Sequence, residues 1–435
     1  MGLSSQEKQI LNLSLLLFIY IVMNKTKLVS HLKEIIADTL KNKKNVETSG
    51  YGILGGTPGV LMFLTEYLKH YKDKEAQLLL NQIEEQLLDQ MANNNLDPLP
   101  SKGAPGIIFS LWYKAIAEKQ KFVENRDINN YLQQNAIFYA NQNNWDLLHG
   151  FIGTSCSFFL HPKPLKFKKT FELLVDILDK TKLKSNFGFY NWDSTVGMER
   201  ENRVFNTGLA HGFPPIIIFL CKVHQLGIKQ KKVEALLKDA VDFCKTIYQP
   251  KNKKRFFPTS INIKKPYKQE YTGRNGAWCY GDFGIIIALL QTGKTLQDKE
   301  LTKFAHTLAL NTLNKEYEIT AMRDAMLCHG KMGVAHIYNR FYQAFGDAKF
   351  KKAFEFYTND SYKNYYKKGK GIGGFKKSSY EEETEKFFME DSISLLDGSA
   401  GIGLTILSYL HPKTTGNWDL LFYTDIHSLK NKGSR

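Results

Sequence analysis

Two cysteines and a histidine carry the clearest chemical signal in the sequence. They stand in the short strings 278-WCYG and 327-LCHG, so Cys279 and Cys328 each lie two residues ahead of a glycine, and His329 follows Cys328 directly. Adjacent residues can both reach one ion only on irregular backbone, which a glycine turn offers. Two thiolates and one imidazole form a Cys₂His donor set. Its softness suits Zn²⁺, and three protein ligands leave a fourth tetrahedral position open, as catalytic sites do. The competing account is two buried cysteines and a capping histidine. The shared slot and the adjacent imidazole favour the metal. Other reactive residue types cluster at the same slot. His149, His211, His329, Asp397 and Tyr280 each immediately precede a glycine. His149 and Asp397 are read as structural, and His211 as the reactive member.

The elements that must position these residues follow from an internal repeat. A glycine turn followed by an apolar run occurs seven times: 55-GGTPGVLMFL, 102-KGAPGIIFSL, 149-HGFIGTSCSFFL, 211-HGFPPIIIFL, 280-YGDFGIIIAL, 329-HGKMGVAHIY and 397-DGSAGIGLTIL. The leading glycines are Gly56, Gly103, Gly150, Gly212, Gly281, Gly330 and Gly398, spaced 47, 47, 62, 69, 49 and 68 residues apart. Pro215 replaces the second glycine in the fourth copy. Glycine permits φ > 0 and close backbone approach just ahead of a helix. Runs such as 285-IIIALL are apolar all round and predict helices buried on most sides. Between them lie amphipathic stretches such as 231-KKVEALLKDAVDFCKTIY, with apolar positions at i, i+3, i+4 and i+7, as on outer helices. A unit that cannot bury its own inner face must stack on its neighbours. The expected fold is all-α: a closed α/α toroid of seven inner and seven outer helices, with an open solenoid as the alternative. Closure would bring all seven turns to one end.

The set 208-GLAHG, 278-WCYG and 328-CHG, in that order on glycine-headed helices, resembles the lanthionine synthetase C-like family over residues 45 to 410. The resemblance implies a zinc cyclase that adds cysteine thiolates to dehydroalanine or dehydrobutyrine, forming thioether rings in a ribosomally made peptide. Carried over residue by residue, it makes Cys279, Cys328 and His329 the zinc ligands and His211 the acid/base group. Asp146, in 146-DLLHGFIG, becomes that histidine's partner, and Trp278 and Tyr280 become substrate contacts. The family's catalytic arginine stands four residues before the first cysteine ligand. That position is Asn275 here, and Arg274, one residue further back, is the candidate. The implied partners are a dehydrated precursor peptide, a separate dehydratase and a peptide transporter.

Two other functions compete. One is a non-catalytic zinc scaffold holding a thiol such as glutathione. The other is a glycosidase-like α/α barrel, which would use paired carboxylates from Asp146, Asp282 and Asp397.

Composition narrows the setting. The chain has 435 residues, 43% of them hydrophobic, enough for one large core. The net charge of +16 comes from dispersed lysines, as in 251-KNKKR and 363-KNYYKKGKG, without a nucleic-acid motif or a dense arginine cluster. Nucleic acid is therefore not an expected partner. A basic surface suits an acidic peptide or an anionic membrane face. Five cysteines, odd in number and widely spread, fit a reducing cytoplasm. The apolar run 10-ILNLSLLLFIYIVM is short for a membrane span, which needs about 20 residues. Residues 1–23 are then an extension, all but Met23 of which a start at Met23 would omit, a packed helix, or a peripheral anchor at the inner membrane face. Residues 24–412 form the expected toroid, and 413–435 a basic tail. Residues 361–386, rich in lysine and tyrosine, are a lid, a partner surface or a mobile insertion.

Overall fold

Six of the seven glycine turns end in a residue that takes the N-cap of a buried helix, and in the fourth Phe213 takes that place after Gly212. The computed structural model describes residues 25–93, 96–185, 187–194, 204–252, 254–263, 269–270, 276–314 and 322–426. Its helices run α1 (Lys25–Lys41), α2 (Lys43–Thr48), α3 (Thr57–Leu68), α4 (Lys74–Asn93), α5 (Ala104–Ala117), α6 (Arg126–Asn141), α7 (Phe151–Leu160) and α8 (Lys168–Thr181). They continue with α9 (Pro214–Gln225), α10 (Gln230–Thr246), α11 (Asp282–Thr295), α12 (Lys299–Asn311), α13 (Lys331–Phe345), α14 (Ala348–Tyr365) and α15 (Ser399–Leu410). The inner layer is α3, α5, α7, α9, α11, α13 and α15, buried along most of their length. The outer layer is α1, α4, α6, α8, α10, α12 and α14, each with one wet face.

The inner helices close on themselves. Each packs on the next from α3 to α11 and from α13 to α15, and α15 packs back on α3. Between α11 and α13, Phe283 meets Tyr338 edge-on at 5.4 Å. The outer layer is completed from the other end of the chain. Helix α1 packs on α15 and on α4, and His31 Nε2 lies 2.7 Å from the carbonyl of Gly373. Gly373 N–H donates to Asp38, and the Tyr366 hydroxyl donates to Glu34. The fold is the expected α/α toroid.

The glycine turns are not built as expected. Only Gly281 has positive φ, at +136°; the other N-cap glycines lie between −96° and −152°. Close approach is what demands glycine. A Cβ at Gly103 would sit 1.9 Å from the Asp97 carbonyl oxygen, and one at Gly333 1.9 Å from that of Leu327. In six of the turns the chain folds back so tightly that the N–H after the glycine reaches the carbonyl seven residues earlier, as Phe213 does to Asn206 at 3.0 Å.

The long intervals hold small sheets. Strands β1 (Leu183–Lys184) and β2 (Tyr190–Asn191) pair antiparallel, and β3 (Val204–Asn206), β4 (Ser260–Asn262) and β5 (Gln269–Glu270) form a three-stranded sheet. The 361–386 segment finishes α14, turns, and enters a hairpin of β6 (Lys377–Glu381) and β7 (Lys386–Glu390). Phe387, Phe388 and Met389 on β7 are partly exposed, and Arg323 lies over the Phe387 ring.

The boundary drawn at residue 412 falls too early. Trp418, Tyr423 and Ile426 are fully buried. The segment from Gly416 to Asp425 runs into the middle of the ring and touches helices all round it. Gly416 N–H donates to Glu66 on α3, Leu420 C=O accepts from Cys156 on α7, and Lys222 on α9 pairs with Asp425. Asp419 takes two hydrogen bonds from Arg340 on α13, at 2.7 and 3.0 Å, and Trp418 Nε1 donates to Ser408 on α15. The segment is an axial plug. Residues 1–23 and 427–435 lie outside the described residues.

Candidate metal centre and active site

Ring closure gathers the turns and ties them together through their backbones. Ala210 N–H donates to the Cys279 carbonyl at 3.4 Å, and Trp278 N–H to that of Cys328 at 3.2 Å. Leu327 and Cys328 both donate to Leu396 C=O at 3.1 Å, and Leu396 N–H donates to Leu54 C=O at 2.9 Å. Ser101 N–H reaches Leu148 C=O at 3.1 Å. Residues distant in sequence are thus held in register by the polar groups that the turns must satisfy anyway.

One ligand atom from each of Cys279, Cys328 and His329 lies within 4.8 Å of the other two. Tetrahedral zinc bonds of about 2.0–2.3 Å separate neighbouring ligand atoms by roughly 3.3–3.8 Å. Side-chain adjustment of about an ångström therefore suffices, and the soft donor set matches zinc. Cys279 is buried, and Cys328 and His329 are half-buried, so the centre opens on one side.

Beside it stands an imidazole–carboxylate pair. His211 Nδ1 lies 2.7 Å from Asp146 Oδ2. Asp146 is buried, and its Oδ1 accepts from the N–H groups of Leu148 and His149 at 2.7 and 2.8 Å. The anchored carboxylate fixes the tautomer with the proton on Nδ1 and leaves Nε2 for chemistry. Burial opposes the charged imidazolium. The Asp146 hydrogen bond and charge, helped by Cys279, outweigh it, and the His211 pKa is raised. The ring of Tyr280 lies 6.4 Å from that of His211.

Trp278, the expected substrate contact, is packed inward. It is 3% exposed, its Nε1 donates to the Phe422 carbonyl at 2.9 Å, and its ring meets Phe422 edge-on. The plug thus supports the Cys279 turn from beneath. Arg274 lies outside the described residues. Asp282 is consumed structurally: its carboxylate accepts from the N–H groups of Phe256 and Phe257. That removes one of the carboxylates a glycosidase would need.

Two residues read as structural stand in the site. His149 stacks on His211 with ring centroids 5.7 Å apart, and its Nδ1 lies 3.1 Å from Ser101 Oγ. Burial lowers its pKa, partly offset by Asp146. Asp397 Oδ1 is buried and has no hydrogen-bond partner among the described residues. Burial pushes the Asp397 pKa up, against the pull of nearby His329. The signal for both was in the sequence, because they share the slot held by His211 and His329.

A cysteine–cysteine–histidine cluster that could hold a metal ion thus stands next to an oriented histidine at the mouth of a helical ring. The family model of lanthionine synthetase C-like proteins matches residues 47–423, and the chain belongs to that family. It is 23% identical to the nisin biosynthesis protein NisC of Lactococcus lactis subsp. lactis over 367 residues, covering 78% of this chain and 86% of that protein. The solved structure of nisin cyclase superimposes with a TM-score of 0.69 at 18% identity, covering 92% of this chain and 98% of that one. No helix among the described residues is long and apolar enough to cross a membrane.

Proposed function

We propose that the protein is a zinc-dependent lanthionine synthetase, joining cysteine sulfur to dehydroalanine or dehydrobutyrine in a ribosomally made peptide. The carrying observation is the Cys279, Cys328 and His329 donor cluster set beside the His211–Asp146 pair. Cys279, Cys328 and His329 would hold the ion. Bound there, zinc supplies the Lewis acidity that keeps a substrate sulfur ionised near pH 7, where a free thiol of pKa about 8.5 is mostly protonated.

The chain's own residues handle the proton. His211 Nε2 takes it from the substrate thiol, and Asp146 stabilises the resulting imidazolium. The sulfur bonds to the β-carbon, the alkene electrons move to the α-carbon and its carbonyl, and His211 returns the proton to the α-carbon. The reaction is an addition: no electron acceptor and no leaving group is needed. Tyr280 and Arg274 are assigned to the substrate side, Arg274 at the enolate oxygen. The reading requires a separate dehydratase to supply the alkene, joins the cyclase to a peptide transporter downstream, and places it in the cytoplasm.

The test is His211→Asn with a dehydrated peptide. Zinc should stay bound while cyclisation falls by about 10²–10⁴-fold, the range of general acid–base catalysis. Cyclisation at the wild-type rate would sink the assignment.

A further inference from the structure

The chemistry described so far occupies only part of the ring. His211, Cys279 and the Cys328–His329 pair come from the fourth, fifth and sixth turns, with Asp146 from the third. The remaining arc holds a cavity of about 370 Å³. Its walls come from the first, second, third and seventh turns: Gly52, Gly55 and Gly56, then Ser101 and Lys102, then His149, then Leu396 and Asp397. Two of its walls border the site already described. His149 stacks on His211 at one, and Asp397 feels the charges of His329 and Cys279 at the other.

We propose that this cavity is the second half of the substrate site, holding in extended form the peptide backbone that flanks the alkene residue. The proposal rests on the cyclase reading. A ring-forming addition needs two separated parts of one peptide, the sulfur donor at the metal and the alkene acceptor within reach of the same histidine. The cavity has the size of a small-ligand site, and its open side lets a chain enter and leave. Its glycine wall carries no side chains, so a second backbone can lie close against it. Asp397 Oδ1, buried without a partner, is an acceptor awaiting a donor, which a peptide N–H supplies. Exposed Lys102 at the rim offers the complementary donor for a peptide carbonyl or an acidic side chain.

Two variants test the assignment. Gly55→Trp fills the cavity; a side chain there meets no heavy atom within 4 Å at its Cβ, so the fold is not strained. Asp397→Leu removes the acceptor while keeping a branched side chain of similar shape. The probe is a fluorescently labelled peptide with one dehydroalanine and one cysteine, read by anisotropy, with zinc content measured in parallel. Both variants should keep wild-type zinc content and bind the peptide at least about tenfold more weakly, as expected for losing a hydrogen bond to a charged group. Binding by Gly55→Trp within about a factor of two of wild type overturns the proposal, whether or not Asp397→Leu folds. Failure of the wild-type protein to bind the probe also overturns it. If wild type binds the peptide but leaves it uncyclised, the cyclase reading fails, and the variants still decide the cavity.

Discussion

In the proposed cyclisation His211 is both base and acid, and Asp146 sets the balance. The raised His211 pKa owes its direction to the Asp146 hydrogen bond and charge overcoming burial. The limb of the pH–rate profile where His211 loses its proton to become the base should therefore lie above the ordinary histidine value of about 6.5. In Asp146→Asn the charge is gone and burial dominates, so that limb should move to lower pH; NMR titration of the His211 ring measures it directly. The folded state carries the same sign. A raised pKa contributes stability that is full below the unfolded value and is lost as pH rises through the folded one. Replacing Cys279 and Cys328 together by alanine should abolish zinc binding, read as metal content under reducing conditions. Metal retained by that variant would refute the triad. The triad was legible because cysteine and histidine recur at one slot of a repeat. The seating of Trp278 was not legible, because its partner is a backbone carbonyl 144 residues further on and no local pattern announces it.

At the scale of elements, the turns and the plug do the positioning. Gly333→Ala would force a methyl group against the Leu327 carbonyl, one residue ahead of Cys328. Overpacking of this kind costs roughly 1–3 kcal/mol, and here the strain falls on a ligand-bearing turn. Chemical denaturation should show the loss, and a chelator competition should show weaker zinc binding; unchanged affinity would argue that the turn relaxes elsewhere. Asp419→Ala strands the buried Arg340 guanidinium, with His336 Nε2 also losing a neighbour at 3.2 Å. Breaking a buried pair costs about 3–5 kcal/mol, so the variant should unfold at markedly lower denaturant. The glycine turns could be read from sequence because they recur, although the reason for glycine was crowding rather than left-handed backbone. The plug could not be read. The string 418-WDLLFYTDI has no glycine turn and no repeat partner, and Asp419, Asp425 and the Leu420 carbonyl find Arg340, Lys222 and Cys156 on helices that precede them by 79, 203 and 264 residues.

The whole molecule adds a long-range field and a topology. The net charge of +16 should draw an acidic peptide segment to the surface. Peptide affinity should fall as salt rises from about 0.05 to about 0.5 M, while zinc content stays constant; a salt-independent affinity would assign recognition to the site alone. The closed ring was legible in seven similar units with no natural stopping point, and α1 supplies the outer helix that the seventh unit lacks. Six of the seven junctions between neighbouring inner helices are bridged by the chain itself. The seventh, from α15 to α3, is a seam held by noncovalent packing, with α1 laid across it like a clasp. Breathing of the barrel mouth should begin at such an unlinked joint, so the amide of Leu396, bonded across it to Leu54, should exchange its hydrogen before those of the other turns. Leu54, Leu396 and Asp397 also wall the 370 Å³ cavity, so the place where the ring parts most readily is the place where a peptide can be threaded in.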